Sequence, residues 1–539
     1  MKVTGQMVDI HSRNIYPAVI SFNDGMIDNI EKVDVAPEYY ILPGLIDAHI
    51  HIESSMITPG AFALTAVKHG TCGVVSDPHE IANVLGIKGV EFMIDDAKKV
   101  PLNFFFGAPS CVPATVFETN GASLGISKIR KLLGNNDIKY LSEMMNFPGV
   151  INGNREVIDK IEYARAHGKP VDGHAPGLTG EPLKKYVAAG ITTDHECSSL
   201  AEAEEKISLG MKILIREGSA ARNLNSLKEL FRIYPEKIML CSDDLHPDTL
   251  QKRHINKLIG ILISEGYNLY DVIRSASINP NEHYNLGMGL LRCGDNADFI
   301  LVDSLEKMNV RETWIKGNKV FSEGKVLFEY KAGNPVNHFN CQALEERAIQ
   351  LHNRYSDIRV IVAVEGELLT GEIHRSSGKS KIITTDIDND ILKIVVKDRY
   401  KNLPPAVGFI QGFGLKKGAF ASSIAHDSHN IIAVGTNDAD IISAMNEIIN
   451  LKGGLAVSTE GTLKSIQLNI AGIMTTRSCD DIARDYENLN RLAESMGCTM
   501  KSPFMTLSFM ALLVIPDLKI GDRGLFDVKK FEPVSLYVE

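Results

Sequence analysis

From about residue 41 to 280, short apolar runs alternate with longer stretches of helical periodicity. The runs are YYILPGLIDA, TCGVVSD, LNFFFGA, KYLSEM, KPVDGHA, ITTDH, MKILIRE and KIMLCSD. A continuous apolar run of this length, bounded by turn residues, predicts a strand buried on both faces. Between them, segments such as NREVIDKIEYARAHG and SLAEAEEKISLG carry helix formers and end at Gly, as helix C-termini do. Eight strand–helix units predict an α/β fold built on a (β/α)8 TIM-like barrel over residues 41–284. The span of about 240 residues agrees with the usual barrel size of roughly 250.

The flanks follow a different rhythm. Residues 1–40 read as short strands, with AVISFNDGMIDNIE giving strand, turn and strand. Residues 285–335, including GDNADFILVDSLEKMNVRETWIKGNKVFSEGKVL, return to short strands with Gly turns. The two flanks are expected to pair into one small composite β-domain, a β-sandwich beside the barrel. YKAGNPVNHFN reads as a linker. Residues 340–539 mix strands (RVIVAVEG, ILKIVVKDRY, NIIAVGT) with helix (DADIISAMNEIINL) and predict a C-terminal α+β domain.

Composition narrows the class. A chain of 539 residues is too long for one core. It is 44% hydrophobic and 23% charged, within the ordinary range of globular proteins. The net charge of −10 argues against a nucleic-acid partner. MKVTGQMVDI has no apolar signal region, and runs such as FMALLVI are too short to span a bilayer, so neither secretion nor membrane insertion is expected. The eight cysteines are scattered without a CxxC pair, which points to a reducing, cytoplasmic setting.

The polar exceptions inside the apolar runs carry the chemistry. His49 and His51, two apart in LPGLIDAHIHIESSM, share one strand face and point into the barrel. Metal-capable residues also stand near the ends of run 4 (Glu143), run 5 (His174), run 6 (His195) and run 8 (Asp243). Catalytic groups of this fold collect at strand C-termini. Four imidazoles and two carboxylates can surround a binuclear divalent metal, with Glu143 placed to bridge. A lone strand-end histidine is usually structural. Coincidence across five strands would otherwise leave several buried polar groups without partners.

These motifs resemble the amidohydrolase superfamily. Within it, HIHIESSM, SDPHEIANVLG, LSEMMNFPGV, DGHAPGL, TTDHECSS, IREGSAARNL and CSDDLHP are similar to the prokaryotic adenine deaminases, as are GGLAVS and AHDSHN in the last domain. The resemblance implies iron or manganese, with zinc also compatible, and a strand-4 glutamate in place of a carbamylated lysine. It further implies hydrolytic deamination of adenine to hypoxanthine and ammonia by a metal-activated hydroxide, in purine salvage or catabolism, by a homo-oligomer (dimer). The cytidine-deaminase type of zinc site is excluded: His51-Ile52-Glu53 reads as HxE, but no PCxxC follows.

Asp243 is expected to move the proton between the attacking hydroxide and the leaving amine. Glu217 and His246 are further catalytic candidates, and Glu53, Ser54, His79, Glu80, Ser219 and Asp244 are candidates for purine recognition. Against that role, Asp77-Pro78 reads as a turn or helix start, and Ser219 reads as a helix cap. The HDSHN cluster, His426 to Asn430, reads as a loop-fixing element in preference to a metal or active-site element. Two alternatives remain open. One is another amidohydrolase, a deacetylase or cyclic-amide hydrolase, which would share HxH and the strand-8 Asp. The other is a non-catalytic barrel scaffold, which would usually have lost a ligand or that Asp.

Overall fold

A computed structural model describes residues 1–539 except Ala220, Gly366 and Glu539. Eight runs become the staves of a curled parallel sheet: Leu45–His51, Thr71–Ser76, Asn103–Ala108, Ile138–Met144, Val171–Gly173, Thr193–Asp194, Lys212–Arg216 and Ile238–Cys241. The first five pair in sequence order and the last three pair in sequence order. The curl closes where Val171–Gly173 lies beside Thr193–Asp194 and Ile238–Cys241 beside Leu45–His51. After the eighth stave, Asp243 and Asp244 pair in parallel with Ile50 and His51. That register sets the strand-8 carboxylate against the HxH pair.

Helices between the staves begin where short polar side chains can accept orphan amides. Asn154 caps Arg155–Ala166 through Val157 N, and Ser199 caps Leu200–Ser208 through Glu202 N. The two segments that the sequence marks as helical thus have defined starts.

The two flanks join in one hydrogen-bonded sheet of eight strands. Residues 2–43 supply four strands and residues 299–326 the other four, with Tyr40–Pro43 pairing to Phe299–Val302. In NDG, Asp24 and Gly25 both take positive φ (47° and 82°), the conformation a two-residue hairpin turn needs. Phe22, Phe299 and Trp314 pack ring to ring in a separate small core.

Residues 357–467 carry most of a nine-stranded mixed sheet, and Tyr537–Val538 joins it by pairing with the start of Asp357–Ala363. The helix Asp438–Leu451 packs on it. This last third lies over the barrel mouth. Helix Cys479–Ser495 packs on Pro247–Leu250, Thr475 N donates to Met56 O (2.8 Å), and Asn430 Nδ2 donates to Thr119 O (2.9 Å). Among the described residues, no helix is long and apolar enough to cross a membrane.

Candidate metal centre at the barrel mouth

Strand ends deliver the polar groups to one buried cluster. His49 and His51 lie on the last turn of pleat of the first stave, both nearly inaccessible to solvent. Asp243 Oδ1 lies 3.6 Å from His49 Nε2 and 3.2 Å from His51 Nε2. Glu143 faces His51 Nε2 (3.4 Å) with Oε1, and His174 Nδ1 (2.7 Å) and His195 Nε2 (3.2 Å) with Oε2. The six side chains singled out from the sequence therefore converge, and Glu143 lies between the two histidine pairs.

Buried supports hold these ends in place. Asp47 Oδ1 accepts from His49 N (3.3 Å) and Ser242 N (3.0 Å). Its Oδ2 accepts from Ser242 Oγ (2.5 Å) and meets His254 Nε2 at 2.8 Å. One carboxylate thus ties the first stave to the eighth. Tyr186 OH donates to Met144 O (2.8 Å) and accepts from His174 N (3.1 Å), fixing staves four and five together. Asn223 Nδ2 donates to His195 O (3.1 Å). Asp243 adopts φ +56°, a left-handed conformation that Asp tolerates better than most residues and that turns its side chain into the cluster.

The electrostatics reflect unmatched charge. Burial opposes ionisation of Glu143, but His174 and His195 outweigh it and hold its carboxyl well below the usual range. Burial likewise opposes ionisation of Asp243, and the Arg216 guanidinium overrides it. The same competition lifts His174 to about 9, with Glu196 and Glu143 exceeding the effect of burial. Yet His49 Nδ1 and Nε2 and His174 Nε2 have no hydrogen-bond partner. Buried imidazoles with free nitrogens, grouped around two carboxylates and without thiolates among them, suit divalent cations of borderline hardness.

The other candidates are distributed around this centre. His79, Glu80 and Asp244 line the cleft above it. His79 Nδ1 lies 3.1 Å from Asp77 Oδ2 and 3.3 Å from Glu143 Oε1. Helix His79–Leu85 starts after Pro78, and no side chain caps it. Ser54 Oγ donates to Asp244 Oδ1 (2.5 Å). The first strand stops at His51 and turns into the short Ile52–Ser55 helix, which carries Glu53 away from the His49/His51 face. Glu53 Oε1 accepts from Ile81 N (3.2 Å), and burial lifts its pKa to about 7. Ser219 Oγ accepts from His246 N (2.8 Å); it does not cap the following helix, where Asn223 holds the cap position, and its neighbour Ala220 lies outside the described residues. His246 is buried against Tyr486 OH (2.8 Å), and burial depresses its pKa to about 4. Glu217 lies beside Arg253 (3.8 Å) and outside the cleft lining.

Several lining residues were not singled out from the sequence. Arg216 binds Glu196 with both terminal nitrogens and Asp243 Oδ2 at 2.6 Å. Both Arg216 and Glu196 stand inside quoted motifs, at the ends of staves seven and six. His426 and Asp427 of HDSHN also line the cleft, so that segment forms part of its wall as well as a loop. Leu368, Phe509, Leu512, Val514 and Ile515 complete an apolar roof from the C-terminal third.

Comparison with known proteins agrees with this layout. The amidohydrolase family pattern matches residues 40–320, and the adenine deaminase C-terminal domain pattern matches residues 367–532. The chain is 51% identical to an adenine deaminase of Methanosarcina mazei, over 100% of both chains. It is 49% identical to one of Salinibacter ruber, over 100% of this chain and 99% of that one. It is 45% identical to one of Borreliella burgdorferi, over 98% of each.

Proposed function

The chain belongs to the amidohydrolase family and, within it, to the adenine deaminases; on that premise we propose that it hydrolyses adenine to hypoxanthine and ammonia at the barrel mouth. The observation that carries this is the convergence of six ligand-capable side chains from five staves, with Glu143 and Asp243 both in contact with His51. His49, His51, Glu143, His174, His195 and Asp243 would hold two divalent ions, manganese or iron. When bound, such a pair supplies a strong nucleophile near neutral pH by acidifying water.

The chain's own groups account for the remaining steps. Asp243, kept ionised by Arg216, accepts a proton from the attacking water. It returns that proton to the amine on C6. As the water oxygen bonds to C6, the C6–N bond breaks and ammonia leaves. Arg216 and Glu196 lock the rotamer of Asp243 and limit its swing. The flat apolar roof of Phe509, Leu512, Val514 and Ile515 faces the polar floor, a cleft suited to a planar base. Asp244 has one oxygen engaged by Ser54, leaving the other to accept a purine ring N–H. A site that hydrogen-bonds its substrate in this way rejects analogues lacking the group.

The deciding assay measures ammonia release from adenine beside cyclic-imide and N-acetyl-sugar substrates, on protein loaded with manganese or iron. Turnover of either alternative without turnover of adenine would sink this reading.

A further inference from the structure

Beyond the six-residue centre, a second group of metal-capable side chains fills the seam between barrel and C-terminal third. We propose that His79, Glu80, His426 and Asp427 form a further divalent-cation site. This does not depend on which amine the enzyme removes.

Four contacts link these side chains. His79 Nε2 lies 3.4 Å from Glu80 Oε1 and 3.9 Å from Asp427 Oδ1. His426 Nδ1 lies 2.6 Å from the same Glu80 oxygen and 3.9 Å from the same Asp427 oxygen. Four ligands at about 2.1 Å in a tetrahedral site stand about 3.4 Å from one another. The four observed edges bracket that value, so small rotations would close the set around one ion. His79 is oriented for this task. Its Nδ1 is engaged by Asp77 and Glu143 on the side of the main centre, which aims Nε2 at the second group.

Charge balance supplies an independent argument. Some buried carboxylates in this region meet fixed cations, Glu196 and Asp243 at Arg216 and Asp194 and Glu202 at Lys206, whereas Asp47, Asp77 and the Glu143 of the six-residue centre meet only histidines. Among the described residues, Glu80 and Asp427 have only histidines within ion-pair distance. Both residues are almost fully buried, and Asp427 Oδ2 accepts no hydrogen bond. His429 Nε2 lies against Glu80 Oε2, while His429 Nδ1 has no hydrogen-bond partner. Desolvated carboxylates with free lone pairs are costly unless a cation is present. Two imidazoles and two carboxylates favour a first-row transition ion over calcium or magnesium. Because two ligands come from DPHE and two from HDSHN, the ion would clamp the C-terminal third onto the barrel.

The test uses the full-length protein loaded with manganese. Metal analysis should give about three ions per chain, and anomalous diffraction at the manganese edge should show a peak between His79, Glu80, His426 and Asp427. Asp427→Asn, and separately His426→Gln, should remove that peak and leave the ions at the six-residue centre. Two ions per wild-type chain after loading with manganese, iron or zinc overturns the proposal. So does retention of the third peak in both variants. If neither variant folds, the wild-type stoichiometry and map decide alone.

Discussion

Asp243 and Arg216 form a buried charge pair at the cleft, and that pairing predicts what each substitution does. Asp243 touches two imidazoles with one oxygen and Arg216 with the other. Asp243→Asn removes the proposed proton carrier, so kcat should fall by about three orders of magnitude or more while the fold persists. Ammonia release within tenfold of wild type would mean that another group moves the proton. Arg216→Met leaves Glu196 and Asp243 buried without their guanidinium. Urea unfolding of the metal-free variant should register a loss of about 3 to 5 kcal/mol, and a change below about 1 kcal/mol would show that water or rearrangement replaces the contact. The histidines were legible in the sequence because a polar ring at the end of an apolar run stands out. Arg216 and Glu196 were not, because a single charged residue at a strand end reads as ordinary surface charge until the curl of the sheet brings the two strand ends, 20 residues apart, together.

Elements, in turn, set where those residues point. The HxH pair shares a face because Leu45–His51 is a strand, and Glu53 leaves that face because the strand gives way to a short helix after His51. The turn begins before the sequence signals it, since Ile52-Glu53 still continues the apolar–polar alternation of a strand, which breaks only at Ser54. The small strand Leu518–Gly521 holds the roof in a comparable way. Its Lys519, fully buried, donates to Leu368 O (2.7 Å) and Phe509 O (3.1 Å), both on roof residues. Burial holds the Lys519 pKa down to about 7, below its ordinary 10.5. The folded state therefore binds this proton less tightly than the unfolded chain does. The destabilisation is full below about 7 and fades as pH rises toward 10.5. Stability should rise with pH across that window by up to about 1.4 kcal/mol per unit from this group. Lys519→Met should flatten that slope in unfolding midpoints measured from pH 7 to 10; an unchanged slope would place its origin elsewhere.

Across the whole molecule, the proposed ligands come from staves one, four, five, six and eight, so metal binding would tie the barrel closed. Chelation should lower the thermal unfolding midpoint, and reloading with manganese should restore it. Free ion at about 100 times its Kd adds about 2.7 kcal/mol to the folded state. A midpoint indifferent to chelator, with metal shown to be removed, would mean that the six side chains are held by the fold alone. The sequence by itself determined the alternation of staves and helices and the placing of polar, metal-capable residues at the ends of apolar runs. Each of these is written in local periodicity, or in a polar residue where an apolar one belongs. Tertiary structure alone decided that HDSHN, some 350 residues along the chain from DPHE, forms the wall facing it, and that Arg216 meets Asp243. Such contacts depend on how separate layers dock, and docking leaves no periodic trace in one dimension.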